Sequence, residues 1–365
     1  MAEIEKKAQF SPNYSVHPGE TLLEVLASRG ITQAELATRI GRPLKTVNEI
    51  AKGKASLTAE TALQFERALD VPAELWNALE AHHQLLLAQQ RENTRIESYV
   101  GWLRKLPVAE MKQRGILSRV KDSSVLIKEA LRFFGIDSPD NLALSSTVAA
   151  FRRSRTFSPN DLALQTWLRI GERAAQDLPC RPFDRAAFRQ VLEETRKLSL
   201  EDDLSTIKLR IVEACCSCGV AVVFIPALDH THVSGAARWI TPDKALIQMS
   251  CRHKTDDHVW FTFFHEAAHI LLHGKKEGFL DDRIEDSEKE EREANSFAAN
   301  ALIPSASMNS LVRQRPLSKE KILSFANALG ISPGIVVGQL QWRKRLPPVT
   351  TLNKLKRSGY DLTLC

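Results

Sequence analysis

The sequence predicts a mainly α-helical protein that ends in an α+β domain containing a small sheet. Apolar residues recur at intervals of three and four along most of the chain, as they do on the buried face of a helix. Short runs rich in β-branched residues lie between residues 219 and 250, where they predict strands. At 365 residues, the chain has room for two or three domains, each with its own core.

The composition is typical of a globular protein that does not enter a membrane. Hydrophobic residues make up 43% of the chain, and no apolar run approaches the roughly 18 residues of a membrane span. The N-terminus lacks the apolar core of a signal peptide, and six cysteines are too few for a disulfide scaffold. We therefore expect a cytoplasmic protein with no membrane contact. Its net charge of +6 permits contact with an acidic polymer such as DNA.

Turns and breaks rich in proline and glycine divide the chain into five predicted segments. The first, residues 1–16, is an N-terminal tail, and a compact five-helix domain follows over residues 17–85. A helical middle region covers residues 86–204 and carries no recognisable chemistry. An α+β domain covers residues 205–345, and residues 346–365 form a C-terminal tail.

Two short helices separated by a tight turn are predicted near residue 40. Thr32 is suited to cap the first helix, which ends at the turn Gly41–Arg42, and the second helix follows as LKTVNEIAKG. This is the helix-turn-helix arrangement, in which the second helix enters the major groove of DNA. Four apolar residues would hold the two helices together: Leu36, Ile40, Val47 and Ile50.

Positive charge is concentrated in this part of the chain. Between residues 39 and 54, five basic residues face the single acidic residue Glu49. Lysine and arginine bind the DNA backbone, whereas Thr46 and Asn48 are the better candidates for reading bases. The candidate DNA contacts are Gln33, Arg42, Lys45, Thr46, Asn48 and Lys52.

Residues 17–85 closely resemble the HigA-type antitoxins, a branch of the Xre-like regulators. The resemblance rests on HPGETLLEVLASRGITQAELA and on VNEIAKGKASLTAETALQFERALDVPAELW. It implies binding to a double-stranded DNA operator, often as a homodimer, and autoregulation beside a toxin gene.

The α+β domain begins with a predicted strand over residues 219–225. Residues 234–240 and 245–250 flank a proline-led turn and predict a hairpin. Helices are then expected over residues 256–273 and 286–302, the second closed by Pro304, with two more between residues 318 and 342.

The first of these helices contains the HExxH motif His265–His269. Residues four apart lie one turn apart on one helix face, so both imidazoles can bind one zinc ion. Glu266 lies beside the first histidine and is suited to act as general base towards water at the metal. A buried helix rarely carries two histidines and a glutamate unless they are paired or bind a metal.

A catalytic zinc takes three protein ligands, so a third is expected from the next helix. Glu291 is the preferred residue because it continues the helical series with Ala294, Asn295 and Ala298. Glu290 and Glu293 remain alternatives. Asn295 is suited to hold a metal-binding imidazole in place.

HEAAHILLHG followed by EREANSFAANALIP resembles the ImmA/IrrE family of zinc metallopeptidases, over roughly residues 205–340. The resemblance implies a zincin-like domain with a gluzincin-type site of two histidines and one glutamate. Some members of that family cleave a repressor or another regulatory protein, and the resemblance extends this expectation to the present chain.

The resulting hypothesis is a DNA-binding transcriptional regulator with a zinc-dependent endopeptidase domain. Its substrate would be a partner repressor or toxin in a toxin–antitoxin or stress response. In the alternative, a HigA-like antitoxin or repressor uses its zinc domain as a sensor or scaffold with little proteolysis. A third hypothesis is that the middle region binds and neutralises a toxin.

Overall fold

The computed structural model describes residues 17–144, 162–229, 231–273, 284–314 and 316–363. The chain divides into two compact units between Tyr99 and Val100. The predicted fold class is confirmed, because helices dominate both units and a small mixed sheet lies in the second. The predicted tail over residues 1–16 lies outside the described residues.

The first unit consists of five helices around one apolar core. They are α1 (Pro18–Arg29), α2 (Gln33–Ile40), α3 (Leu44–Ala51), α4 (Ala59–Leu69) and α5 (Ala73–Glu97). Phe65 and Trp76 pack edge to face in the core, with ring centroids 5.5 Å apart. Helix α5 continues past residue 85, where the sequence placed a domain boundary. The predicted domain boundaries remain predictions.

Helix α1 lies directly against the C-terminal end of α3, and the contact depends on Gly19. A Cβ atom at this position would lie 2.4 Å from the carbonyl oxygen of Ile50 and 2.6 Å from that of Ala51. Such distances are far below van der Waals contact, so only glycine permits this approach.

The second unit contains eleven helices among its described residues. Those before the sheet are α6 (Val100–Leu103), α7 (Val108–Gln113), α8 (Ser123–Phe134), α9 (Leu162–Gln176), α10 (Arg185–Lys197) and α11 (Leu204–Cys216). Those after it are α12 (Asp256–Leu272), α13 (Ile284–Leu302), α14 (Ser305–Arg313), α15 (Lys319–Leu329) and α16 (Pro333–Trp342). Helix α14 was not predicted.

The sheet contains β1 (Val220–Phe224), β2 (Gly235–Thr241) and β3 (Lys244–Met249). Their order is β1–β3–β2, with β1 parallel and β2 antiparallel to β3. Strands β2 and β3 form the predicted hairpin.

Helices cover both faces of the sheet, and alternate residues of β1 point to different faces. Val220 and Val222 belong to the large core that also contains α12. Ala221 and Val223 belong to a smaller cluster with Ala175 of α9. This explains why β1 is apolar at every position rather than alternating.

The N-terminus of α12 is held by buried charges. Ser332 donates a hydrogen bond to the Asp256 carboxylate, and the Arg357 backbone N–H donates a second at 3.0 Å. The Lys356 ammonium lies 2.6 Å from the Asp257 carboxylate. Burial raises the pKa of Asp256, whereas the hydrogen bonds from Ser332 and Arg357 act in the opposite direction.

Part of the segment after residue 345 packs against α12. Tyr360 is buried, and its hydroxyl lies 3.0 Å from the indole nitrogen of Trp260. Thr255 and Ser358 form an antiparallel bridge. No local sequence signal indicated this docking, because its partners lie about a hundred residues away.

Among the described residues, no single helix has the length and apolar character to cross a membrane. The pair α15 and α16 meets that test jointly, but the two helices meet at 111°.

Candidate functional site

Helices α12 and α13 bring two imidazoles and a carboxylate to one point. The Nε2 atoms of His265 and His269 lie 3.1 Å apart. The Glu291 carboxylate lies 3.3 Å from Nε2 of His265 and 3.6 Å from Nε2 of His269. Neither Glu290 nor Glu293, the two alternatives for a third ligand, belongs to this group.

These distances fit a zinc ion. With ligand bonds of about 2.0–2.1 Å, tetrahedral geometry places ligand atoms about 3.3 Å apart. The three observed separations, 3.1, 3.3 and 3.6 Å, are all close to that value. Two imidazoles and one carboxylate are also the donor set of many catalytic zinc sites, which keep a fourth position open.

The second nitrogen of each imidazole is held by a neighbouring side chain. His265 Nδ1 lies 3.1 Å from the Asn295 amide oxygen, which can accept a hydrogen bond only from a protonated Nδ1. That tautomer leaves the Nε2 lone pair directed at the cluster. Asn295 therefore lies where the sequence suggested.

A second chain of contacts supports His269. Its Nδ1 lies 3.0 Å from Nδ1 of His273, whose Nε2 lies 3.3 Å from the Glu293 carboxylate. A proton on His269 Nδ1 and another on His273 Nε2 satisfy both contacts, and the lone pair of His269 Nε2 then points at the cluster. The repeat of histidine four residues after His269 was the sequence signal for this contact.

Glu266 is buried beside the cluster and lies under the first residue of β2. A Cβ atom at Gly235 would come within 2.8 Å of both Cγ and Oε1 of Glu266. The glycine therefore leaves the space that the Glu266 side chain fills. Helix α12 and strand β2 thus fix the position of this carboxyl group next to the two histidines.

The first unit contains the helix-turn-helix as predicted. The Thr32 hydroxyl accepts a hydrogen bond from the Glu35 backbone N–H at 3.1 Å, which caps α2. The four residues expected to hold α2 and α3 together, Leu36, Ile40, Val47 and Ile50, are all buried.

The candidate DNA contacts lie on and around α3. Lys45 and Lys52 are exposed, and Thr46 and Asn48 are partly exposed on α3. Gln33 is partly exposed at the first position of α2.

Two arginines of this region are paired with carboxylates. The positive charge available to bind DNA is therefore smaller than the count over residues 39–54 indicated. The Arg42 guanidinium donates to Gln64 at 3.0 Å and lies 3.1 Å from the Glu60 carboxylate, both on α4. Arg39 lies 2.6 Å from the Glu35 carboxylate one helical turn earlier. The count over residues 39–54 missed both acidic partners because they lie outside that window.

The fold and the cluster together define a class of protein: a helix-turn-helix protein whose second unit carries two histidines and one glutamate that could hold a metal ion. Residues 219–340 match the Peptidase_M78 family model, described as the IrrE N-terminal-like domain. Residues 22–76 match the HTH_3 model, described as helix-turn-helix. The chain thus carries an Xre-like segment and an IrrE/ImmA segment, which confirms both resemblances. The matches indicate a DNA-binding regulator joined to an IrrE/ImmA-type protease or regulator.

Two solved structures each resemble part of the chain. One is a putative antidote protein of a plasmid maintenance system from Nostoc punctiforme, with 28% identity, coverage of 23% of this chain and 92% of that chain, and a TM-score of 0.23. The other is an addiction module antidote protein of the HigA family from Coxiella burnetii, with 28% identity, coverage of 23% and 91%, and a TM-score of 0.21. No curated protein matches the chain.

Proposed function

We propose that this protein is a DNA-binding transcriptional regulator whose second unit is a zinc-dependent endopeptidase. Its substrate is a regulatory partner protein, a repressor or a toxin, in a toxin–antitoxin or stress response. Its first unit binds a double-stranded DNA operator, with the protein acting as a homodimer in the cytoplasm. The observation that carries the proposal is the convergence of His265, His269 and Glu291 beside the buried Glu266.

The donor set and distances support zinc as the cofactor, held by His265, His269 and Glu291. When bound at such a site, zinc acts as a Lewis acid that polarises a carbonyl and lowers the pKa of water. Glu266 is the proposed general base, and its carboxylate accepts a proton from the attacking water. The same carboxyl group then gives the proton to the leaving amine. Asn295 and His273 hold the two imidazoles in orientation during these steps.

We expect Glu266→Gln to lower cleavage by about 10²–10⁴-fold, the usual contribution of a general base. Glutamine preserves the shape of the side chain but cannot accept the proton. The zinc-loaded protein is incubated with the product of the adjacent gene and with a second copy of itself, and fragments are identified by mass spectrometry.

The matched control is Glu288→Gln, which makes the same chemical change on the exposed surface of α13, where Glu288 pairs with Arg292 at 3.5 Å. It is expected to cleave like the unaltered protein. Metal analysis is expected to give equal zinc content for all three proteins. Zinc binding without any cleavage that depends on Glu266 would refute the endopeptidase and favour a zinc domain that senses or scaffolds.

DNA binding is expected to depend on α3. Lys45→Ala should weaken binding to all sequences about equally and reduce the salt slope by about one unit, because the residue would contact phosphate. Asn48→Ala should cost about 1–3 kcal/mol on the operator and relax sequence preference. Mobility shift with DNA from upstream of the gene measures both.

Arg67→Ala on the exposed surface of α4 is the charge-matched control and should bind normally. If Lys45→Ala and Asn48→Ala also bind like the unaltered protein, α3 is not the DNA-reading helix.

A further inference from the structure

An exposed tryptophan lies near the histidine and glutamate cluster. Trp342, the last residue of α16, is 54% exposed, whereas Trp76, Trp167 and Trp260 are fully buried. Exposing so large an apolar side chain loses the stabilisation that burial would give. An exposed tryptophan is therefore a candidate for contact with a ligand.

A second aromatic ring connects Trp342 to the cluster. The Phe261 ring centroid lies 6.3 Å from the Trp342 ring centroid and 6.3 Å from the His265 ring centroid. The Phe261 and His265 rings are stacked, with an angle of 29° between their planes. An extended peptide advances about 3.3 Å per residue, so two such ring spacings correspond to at most about four residues. Trp342 is thus within reach of a peptide whose scissile bond lies at the cluster.

Three consecutive cations follow Trp342. Arg343, Lys344 and Arg345 have no carboxylate partner among the residues that the structure describes. The Nε atom of Arg343 is buried and has no hydrogen-bond partner among the described residues.

The chain turns sharply at this point and keeps the cations beside Trp342. Lys344 adopts a left-handed conformation, with φ 55°, and the Arg345 N–H donates to the Leu340 carbonyl at 2.8 Å. Glycine is the usual residue at such a helix end, because it avoids the steric cost of a side chain. A lysine here carries charge at a position where the backbone favours glycine.

We infer that Trp342 and the basic turn Arg343–Arg345 form a subsite for a substrate segment in which a large apolar side chain adjoins acidic residues. The apolar side chain packs on the Trp342 and Phe261 rings, and the acidic residues pair with the turn. The inference rests on the proposed peptidase function and names the substrate class for it.

Binding is measured with the zinc-loaded full-length Glu266→Gln protein, in which the expected loss of cleavage keeps the probe intact during the measurement. Two fluorescent ten-residue peptides serve as probes. One carries a phenylalanine flanked by glutamates, and the other carries alanine and glutamines at the same positions. The first is expected to bind at least about 10-fold more tightly, as apolar contacts of this size discriminate. Its affinity should fall with added salt.

Variants at the turn separate the two contributions. Trp342→Ala should lower the preference for the first peptide and leave its salt dependence in place, and Trp342→Phe should retain the full preference. Lys344→Gly removes a charge while relieving the left-handed backbone, so it should weaken the salt-dependent part of the preference without lowering Tm. Equal zinc content in every variant shows that the cluster is intact.

Equal affinity for the two peptides, or no effect of Trp342→Ala, would overturn the inference. The same probes added to the protein with Glu266 intact test the proposed function separately. Preferential binding that depends on Trp342, together with no Glu266-dependent cleavage of the probes or of the partner proteins, would overturn the peptidase but leave the peptide-binding site in place. Cleavage that depends on Glu266 but ignores phenylalanine and glutamate would overturn the subsite alone.

Discussion

Substitution of His269 by alanine is expected to abolish stoichiometric zinc binding. The Nε2 atom of His269 is one of three proposed donors and lies 3.1 Å from Nε2 of His265. The two remaining protein ligands are fewer than the three that usually hold a catalytic zinc ion. Zinc content per chain, measured by atomic emission after dialysis against a weak chelator, should fall from one to near zero.

The stability of the second unit should change in parallel. A ligand that binds only the folded state at 1,000 times its Kd stabilises that state by about 4.1 kcal/mol. Zinc should therefore raise the Tm of the unaltered protein and leave that of His269→Ala unchanged.

His273→Ala is the matched control, since it removes an imidazole from the same helix face one turn later. His273 contacts His269 Nδ1 rather than the cluster centre. Its loss should weaken zinc affinity by about 10–100-fold, as is usual for partners of a ligand, and leave the stoichiometry at one. A His269→Ala protein that still holds one tightly bound zinc would show that the three side chains are not the metal site.

Gly19→Ala is expected to destabilise the first unit and abolish operator binding. The added methyl group would meet backbone oxygens of Ile50 and Ala51, which no side-chain rotation can move away. Helix α1 must therefore shift from the end of α3, at a cost of about 1–3 kcal/mol, as for other overpacked sites. Thermal unfolding monitored by circular dichroism measures the stability, and mobility shift measures DNA binding.

Gly30→Ala serves as the comparison because Gly30 has φ 63° but nothing within 4 Å of an added Cβ. The left-handed backbone should cost about 1–2 kcal/mol, while α1 and α3 keep their packing. The folded Gly30→Ala protein should bind DNA normally. Normal binding by Gly19→Ala would mean that the position of α3 does not depend on its contact with α1.

Much of the His265, His269 and Glu291 cluster could be predicted from local spacing in the sequence. The i, i+4 relation of His265 and His269 places both imidazoles on one helix face wherever the helix lies. The strands of the hairpin likewise follow from short apolar runs on either side of a turn. In both cases the residues that determine the feature lie within a few positions of one another in the sequence.

The remaining features depend on contacts between distant parts of the chain. Helical phase alone favoured Glu291 but left Glu290 and Glu293 open, because the relative placement of α12 and α13 is tertiary. The neutralisation of Arg42 by Glu60 is also a contact between helices. Trp342 has no local pattern that relates it to His265.

The buried aspartates at the start of α12 also bear on the order in which the protein assembles during synthesis. Asp256 and Asp257 find their partners at Arg357 and Lys356, at sequence separations of 101 and 99 residues. Until those residues have left the ribosome, the two carboxylates cannot be buried without a large desolvation cost. The nascent chain therefore cannot complete the base of the HExxH helix when the motif itself emerges, and the arrangement of His265, His269 and Glu291 is completed only after residue 357 has left the ribosome.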